Sequence, residues 1–107
     1  MIVAHVRFLP QSNDCGRLTP PRSGYHPQIE LDDVQTSCRI ESLENTDVMA
    51  FGVVHKVELT LLFAQHCAHM LYEGRDVRFF EGSNLVGDGK IVSVTQGGRR
   101  WPVCQDN

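Results

Sequence analysis

No stretch of the 107-residue chain runs unbroken through the ~20 apolar residues that a membrane-spanning helix needs. The opening MIVAHVRFLP has no basic region ahead of an apolar core and no cleavage site, so it does not read as a signal peptide. A cytoplasmic location and no membrane partner are therefore expected. No CxxC pair occurs. The four cysteines, at positions 15, 38, 67 and 104, are well separated, and reduced thiols are expected where nothing points to export. A GxxxxGK(S/T) loop to cradle phosphates is missing too, so no nucleotide is expected. Positive charge is in short supply, with 10 Lys and Arg against 13 Asp and Glu and a net charge of −3. Acidic residues gather at Glu30, Asp32, Asp33, Glu41, Glu44 and Asp47. A protein that grips a phosphate backbone usually has the opposite balance, which weighs against general nucleic-acid binding. There is no internal repeat.

What is present suits one globular domain. Hydrophobic content is 41% and charged content 21%, unlike a disordered chain. Period-two alternation dominates the pattern. In IVAHVRFL, Ile2, Ala4, Val6 and Phe8 share one face and leave His5 and Arg7 on the other. Residues 10–27, rich in proline, glycine and serine, read as a long structured loop. Ile29 and Leu31 then face one way, with Gln28, Glu30 and Asp32 opposite. VQTSCRIES puts Val34, Thr36, Cys38 and Ile40 together, with Gln35, Ser37, Arg39 and Glu41 outside. HKVELTLLF is the cleanest strand: Val57, Leu59, Leu61 and Phe63 alternate with Lys56, Glu58 and Thr60. RDVRFFEG points Val77 and Phe79 inward. In NLVGDGKIVSV, Gly87 and Gly89 suit a sharp bend or a close backbone approach. Only AQHCAHMLYEG, residues 64–74, suits a helical turn or two. Six short strands separated by turns predict an all-β, closed or nearly closed antiparallel barrel. The expected division is a barrel over residues 1–96 and an exposed extension over 97–107.

Two segments carry a family resemblance. G-R-L-T-P-P-R-S-G-Y-H-P-Q-I resembles the signature of the C-terminal (third) β-barrel domain of translation elongation factor Tu, which reads G-R-x-T-P-F, a short gap, then G-Y-R-P-Q-F. Gly16, Arg17, Thr19, Pro20, Gly24, Tyr25, Pro27 and Gln28 match it. V-R-F-F-E-G-S-N-L-V-G-D-G-K-I-V resembles a second signature of that domain, with Arg78, Phe79, Glu81, Gly82, Val86, Gly87 and Gly89 agreeing in type and order. FGVVHKVELTLL stands in the place of the intervening family strand. The resemblance covers roughly residues 2–95 and implies a six-stranded antiparallel Greek-key barrel, here as a stand-alone domain. In that family GTP is hydrolysed by a separate domain, for which this chain has no room, so an enzyme is not expected.

The resemblance also implies where binding residues fall. In the family the barrel helps hold the T-stem of aminoacyl-tRNA and contacts the GTPase domain, through side chains of the two signature loops. The corresponding positions are Arg17, Leu18, Thr19, Tyr25, His26, Gln28, Glu81 and Gly82. Leu18 stands for a basic or polar residue, His26 for an arginine, Pro21 for a phenylalanine and Asn84 for an arginine. Donors to phosphate are thus lost, with Arg17, Arg22 and Arg75 as possible compensation. The glycines and prolines also suit plain backbone roles, since glycine supplies positive φ and proline fixes turns. Tyr25 reads either as a stacking platform or as a ring packed on the barrel with its hydroxyl bonded to the loop.

Other chemistry is sparse. His66 and His69 flank Cys67 in the one cluster of metal-ligand types, but a structural zinc site usually takes four ligands and no further one has a telling spacing. Adjacent His66 and Cys67 rarely align as base and nucleophile. Asp32 and Asp33 read as a solvated turn. No catalytic residue, metal or cofactor is expected. The expected function is a non-catalytic module that docks a protein or translation component through the 15–28 loop and the 80–85 turn. Leu18, Pro20, Pro21 and Tyr25 would enrich that face; tRNA binding and homodimer formation are the alternatives.

Overall fold

The computed structural model describes residues 1–32, 34–62 and 68–95. Six strands succeed one another: β1 (Ile2–Phe8), β2 (Gln28–Leu31), β3 (Val34–Ser42), β4 (His55–Leu61), β5 (Asp76–Glu81) and β6 (Asn84–Val94). Every pairing is antiparallel, and the ring β1-β4-β3-β2-β5-β6 closes on itself. Strands β2, β3 and β4 lie side by side in chain order, and β5 returns to pair with β2. That order is a Greek key. The all-β six-stranded barrel is therefore the architecture found, and its closure removes the exposed edges an open sheet would offer to other chains.

Alternation explains which face of each strand turns inward. In β4, His55, Val57, Leu59 and Leu61 are buried, while Lys56 and Thr60 are exposed. In β1, Ala4, Val6 and Phe8 point into the barrel and His5 and Arg7 out of it. Each large apolar side chain so enclosed contributes about 1.5–3 kcal/mol of transfer free energy. The first half of β3 departs from the expectation. Val34 and Thr36 are only half-buried, and full enclosure begins at Cys38 and Ile40. The reason lies in the pairing: residues 34–37 sit against the short β2, whereas from Cys38 onward β3 lies against β4.

The two ends of the barrel are stoppered from the connections. Met49, in the β3–β4 loop, is wholly buried, and Leu71 fills the opposite end from the β4–β5 connection. In that connection a single 3-10 turn covers Ala68–Met70. The rest of the expected helical stretch, residues 64–67, lies outside the described residues, as do Asp33, Phe63 and the 97–107 extension. No helix among the described residues is long and apolar enough to cross a membrane.

Of the sharp bend or close backbone approach expected at Gly87 and Gly89, the structure shows a close approach between β6 and β1. A Cβ on Gly87 would lie 2.8 Å from the Arg7 carbonyl oxygen, and one on Gly89 would overlap the His5 carbonyl and stand 2.8 Å from a Val6 methyl. Alanine at position 89 is expected to lower stability by about 1–3 kcal/mol, the usual cost of forcing a methyl into filled space. A urea titration of Gly89→Ala against the parent chain checks this through the shift in midpoint.

Candidate functional site

Three connections leave the barrel at one pole: β1–β2 (residues 9–27), β3–β4 (residues 43–54) and the two-residue turn between β5 and β6. Backbone hydrogen bonds knit them together. Gly16 N–H donates to the Leu85 carbonyl (2.8 Å) and Leu9 N–H to that of Val86 (2.9 Å). The Asn84 side-chain amide returns a bond to the Gly16 carbonyl at 2.9 Å. Gly16 has φ +88°, and a Cβ there would run into the Pro10 carbonyl, so the position demands glycine. On the other flank, Ser23 N–H donates to Asp47 (2.7 Å), Met49 N–H to Pro21 (2.8 Å) and Gly52 N–H to Phe8 (3.1 Å). The two loops singled out in the sequence lie side by side.

Their meeting point is a cluster of Arg17, Tyr25 and Glu81. The Glu81 carboxylate accepts from both the Arg17 guanidinium and the Tyr25 hydroxyl. Arg17 also lies over the Tyr25 ring, 4.6 Å from its centroid, and its Nε donates to the Thr19 carbonyl at 3.0 Å. Below, the Tyr25 ring meets the buried Phe8 ring edge-on, with centroids 5.9 Å apart and planes at 76°. Burial, reinforced by the Glu81 carboxylate, pushes the Tyr25 hydroxyl far above the ordinary tyrosine pKa. For Arg17, burial works against the charge, but Tyr25 and Glu81 outweigh it and the pKa rises. The cluster is a neutralised clasp.

The remaining expected residues distribute differently. Leu18 is 80% exposed beside the clasp, and Thr19 is exposed as well. Gly82 occupies the β5–β6 turn with φ +65°. His26 and Gln28 do not join the pole cluster. Gln28 is an exposed β2 residue paired with Ser37 and Phe80, and His26 lines a groove on the flank of the barrel with Ser37, Arg39 and Leu62. Pro21 is buried and so contributes nothing to an exposed face. Tyr25 is packed, with its hydroxyl committed, rather than free for stacking.

The arginines named as compensation are paired. Arg22 holds Asp47, and Arg75 holds Asp32 at 2.9 Å. Arg78 of β5 likewise holds Glu30. His55, which sequence reasoning assigned no role, is buried with Nε2 2.8 Å from the Ala50 carbonyl and Nδ1 3.5 Å from Glu44. Its phase with Val57, Leu59 and Leu61 was the available signal. Burial raises the Cys38 thiol to about 12, the opposite of an activated nucleophile. His69 is exposed, while His66 and Cys67 lie outside the described residues. Among the described residues, no three His, Cys, Asp or Glu side chains converge where they would hold a metal ion.

No protein-family model matches the chain, and no curated protein matches it.

Because folding disfavours tyrosinate at position 25, this group stabilises the fold fully below the unfolded tyrosine pKa of about 10 and loses that contribution as pH rises above it. Alkaline melts of Tyr25→Phe are expected to show a shallower fall in Tm above about pH 10 than the parent chain, since phenylalanine has no proton to lose.

Proposed function

We propose that this chain is a non-catalytic binding module that docks a protein partner, a translation component among the candidates, through the pole around Leu18 and the Arg17–Tyr25–Glu81 clasp. The observation that carries this reading is the state of the charges there. The guanidiniums of the 9–27 loop, Arg17 and Arg22, are both engaged by carboxylates, while Leu18 stands 80% exposed between them in sequence. Gripping phosphate at this pole requires breaking an ion pair, and the counterion-release gain that drives RNA binding is then reduced. Covering an exposed leucine carries no such cost, and the hydrogen bonds between the loops hold the surface in shape beforehand, which lowers the ordering cost of association.

The resemblance to the third domain of elongation factor Tu supports the same reading, because that barrel works against other domains as well as tRNA. It also makes tRNA the natural competitor. The losses at Leu18, His26 and Asn84, together with the paired Arg17 and Arg22, favour protein over RNA.

Two measurements separate the readings. In a pull-down from native lysate, the parent chain is expected to retain a discrete protein that Leu18→Asp loses; identical captures by the two would sink the assignment of this pole. In a fluorescence-polarisation titration with tRNA, no binding above background is expected at low salt. Affinity that falls steeply with added salt would instead establish the RNA reading. Light scattering across protein concentration identifies a second copy as the partner if the mass doubles.

A further inference from the structure

The β3–β4 loop, one wall of the pole, is met at two points by a single enclosed side chain. His55 opens β4 with its imidazole buried and tilted against the Phe8 ring, 6.4 Å between centroids. Its Nδ1 lies 3.5 Å from Glu44 Oε1, at the start of the loop, and its Nε2 lies 2.8 Å from the Ala50 carbonyl oxygen, further along it. Between those points the loop carries Met49, whose N–H donates to the Pro21 carbonyl, and Asp47, whose carbonyl accepts from Ser23 N–H. The imidazole therefore spans the part of the loop that stoppers the barrel and meets residues 21–23.

Both neighbours of the ring are acceptors. A neutral imidazole carries one N–H and one bare nitrogen. The 2.8 Å contact places the proton on Nε2, since a carbonyl oxygen only accepts. Nδ1 is then a lone pair facing a carboxylate oxygen, with no hydrogen between them. Their 3.5 Å separation agrees, because it exceeds the about 2.7–3.2 Å of an N–H···O bond. A second proton on the ring supplies the missing donor and turns the same contact into a charge-assisted hydrogen bond. Glu44 is well placed to accept it: its N–H donates to Ser42 Oγ at 3.1 Å, which ties its backbone to the end of β3.

The other groups around the ring do not compete. From β1, Val6 is its register partner and Phe8 its ring neighbour, while His5 and Arg7 point out of the barrel. From β3, Leu43 N–H bonds the Lys56 carbonyl, and the Lys56 side chain is exposed. Asp47 is held by Arg22, and Tyr25, which also meets Phe8, commits its hydroxyl to Glu81. Among the described residues Glu44 is the charged group within ion-pair reach of His55.

We propose that His55 is an acid-set latch on this loop. A proton on Nδ1 closes the contact with Glu44 while Nε2 keeps the Ala50 carbonyl, and the loop is then bonded at both points to one ring on β4. The tightening is present where the ring is protonated and Glu44 still ionised, and is lost as rising pH strips the proton. Where the pole docks a protein, as proposed, the latch regulates that surface by setting how firmly one of its walls is held.

Amide exchange of the chain by itself tests the latch. The reporters are the Met49 and Gly52 amides, which bond to Pro21 and Phe8. After correction for intrinsic exchange, their protection is expected to be about two- to fivefold higher at about pH 5.5 than at about pH 8, the scale of one partly exposed ion pair. Glu44→Gln keeps the shape of the side chain without its charge and is expected to flatten that response, as is Glu44→Ala. Ring nitrogen shifts of His55 are expected to show the proton on Nε2 at about pH 8 and protons on both nitrogens at about pH 5.5. Protection that is equal at the two pH values, or a response that survives both Glu44 substitutions, overturns the proposal. So does a bare Nε2 at the higher pH. Capture from lysate decides the docking reading separately, since the latch is measured with no partner present.

Discussion

The barrel depends on how closely β6 can pass β1. At Gly87 and Gly89 the two backbones are too near for any Cβ, so the seam that closes the ring exists only because hydrogen occupies those positions. The absence of side chains there is matched by bulk alongside. Phe8 of β1 and Phe79 of β5 both stand in register with Gly87, and they are the largest wholly buried side chains. Large against small fills the interior without strain. The same seam decides where the β5–β6 turn goes: pulled along β1, it arrives beside Gly16, a further position without room for a Cβ.

From that convergence the electrostatics of the pole follow. Glu81 stands at the C-terminal end of β5, and closure delivers it to Arg17 and Tyr25 of a loop that is remote in sequence. Its carboxylate cancels the charge a phosphate would otherwise seek. Arg22 with Asp47 repeats the arrangement between the first loop and the β3–β4 loop. Isolated pairs this exposed contribute little to stability, on the order of 0–1 kcal/mol each. Their larger effect is on the surface itself, because they leave a pole that is locally neutral around an exposed Leu18.

The legible parts of the sequence were those in which neighbouring residues carry the information. Alternation in β1 and β4 identified the inward residues because each strand runs between two partner strands, both paired along its middle. It failed at Val34 and Thr36, where burial depends on a neighbouring strand being only four residues long. Met49 carried no signal in the sequence and Pro21 was expected on the docking face, yet one stoppers the barrel and the other is buried, because the twelve-residue β3–β4 loop folds back over the open end and Met49 N–H meets the Pro21 carbonyl. His26 belonged to the same sequence signature as Arg17 and Tyr25, but it stands ahead of β2 and lines the groove on the flank instead.

By itself, then, the order of residues determined that this chain makes six strands, which face of most of them is apolar, and where glycine permits what no other residue would. Those are consequences of period-two geometry and of steric exclusion at single positions, and both act over a few neighbouring residues. Only the closed barrel decided that Glu81 engages Arg17 and Tyr25, that Arg22, Arg75 and Arg78 are held by carboxylates, and that Glu41 stands across from Glu58. Contacts between residues distant along the chain depend on strand order and register, and these are set by the packing of the whole.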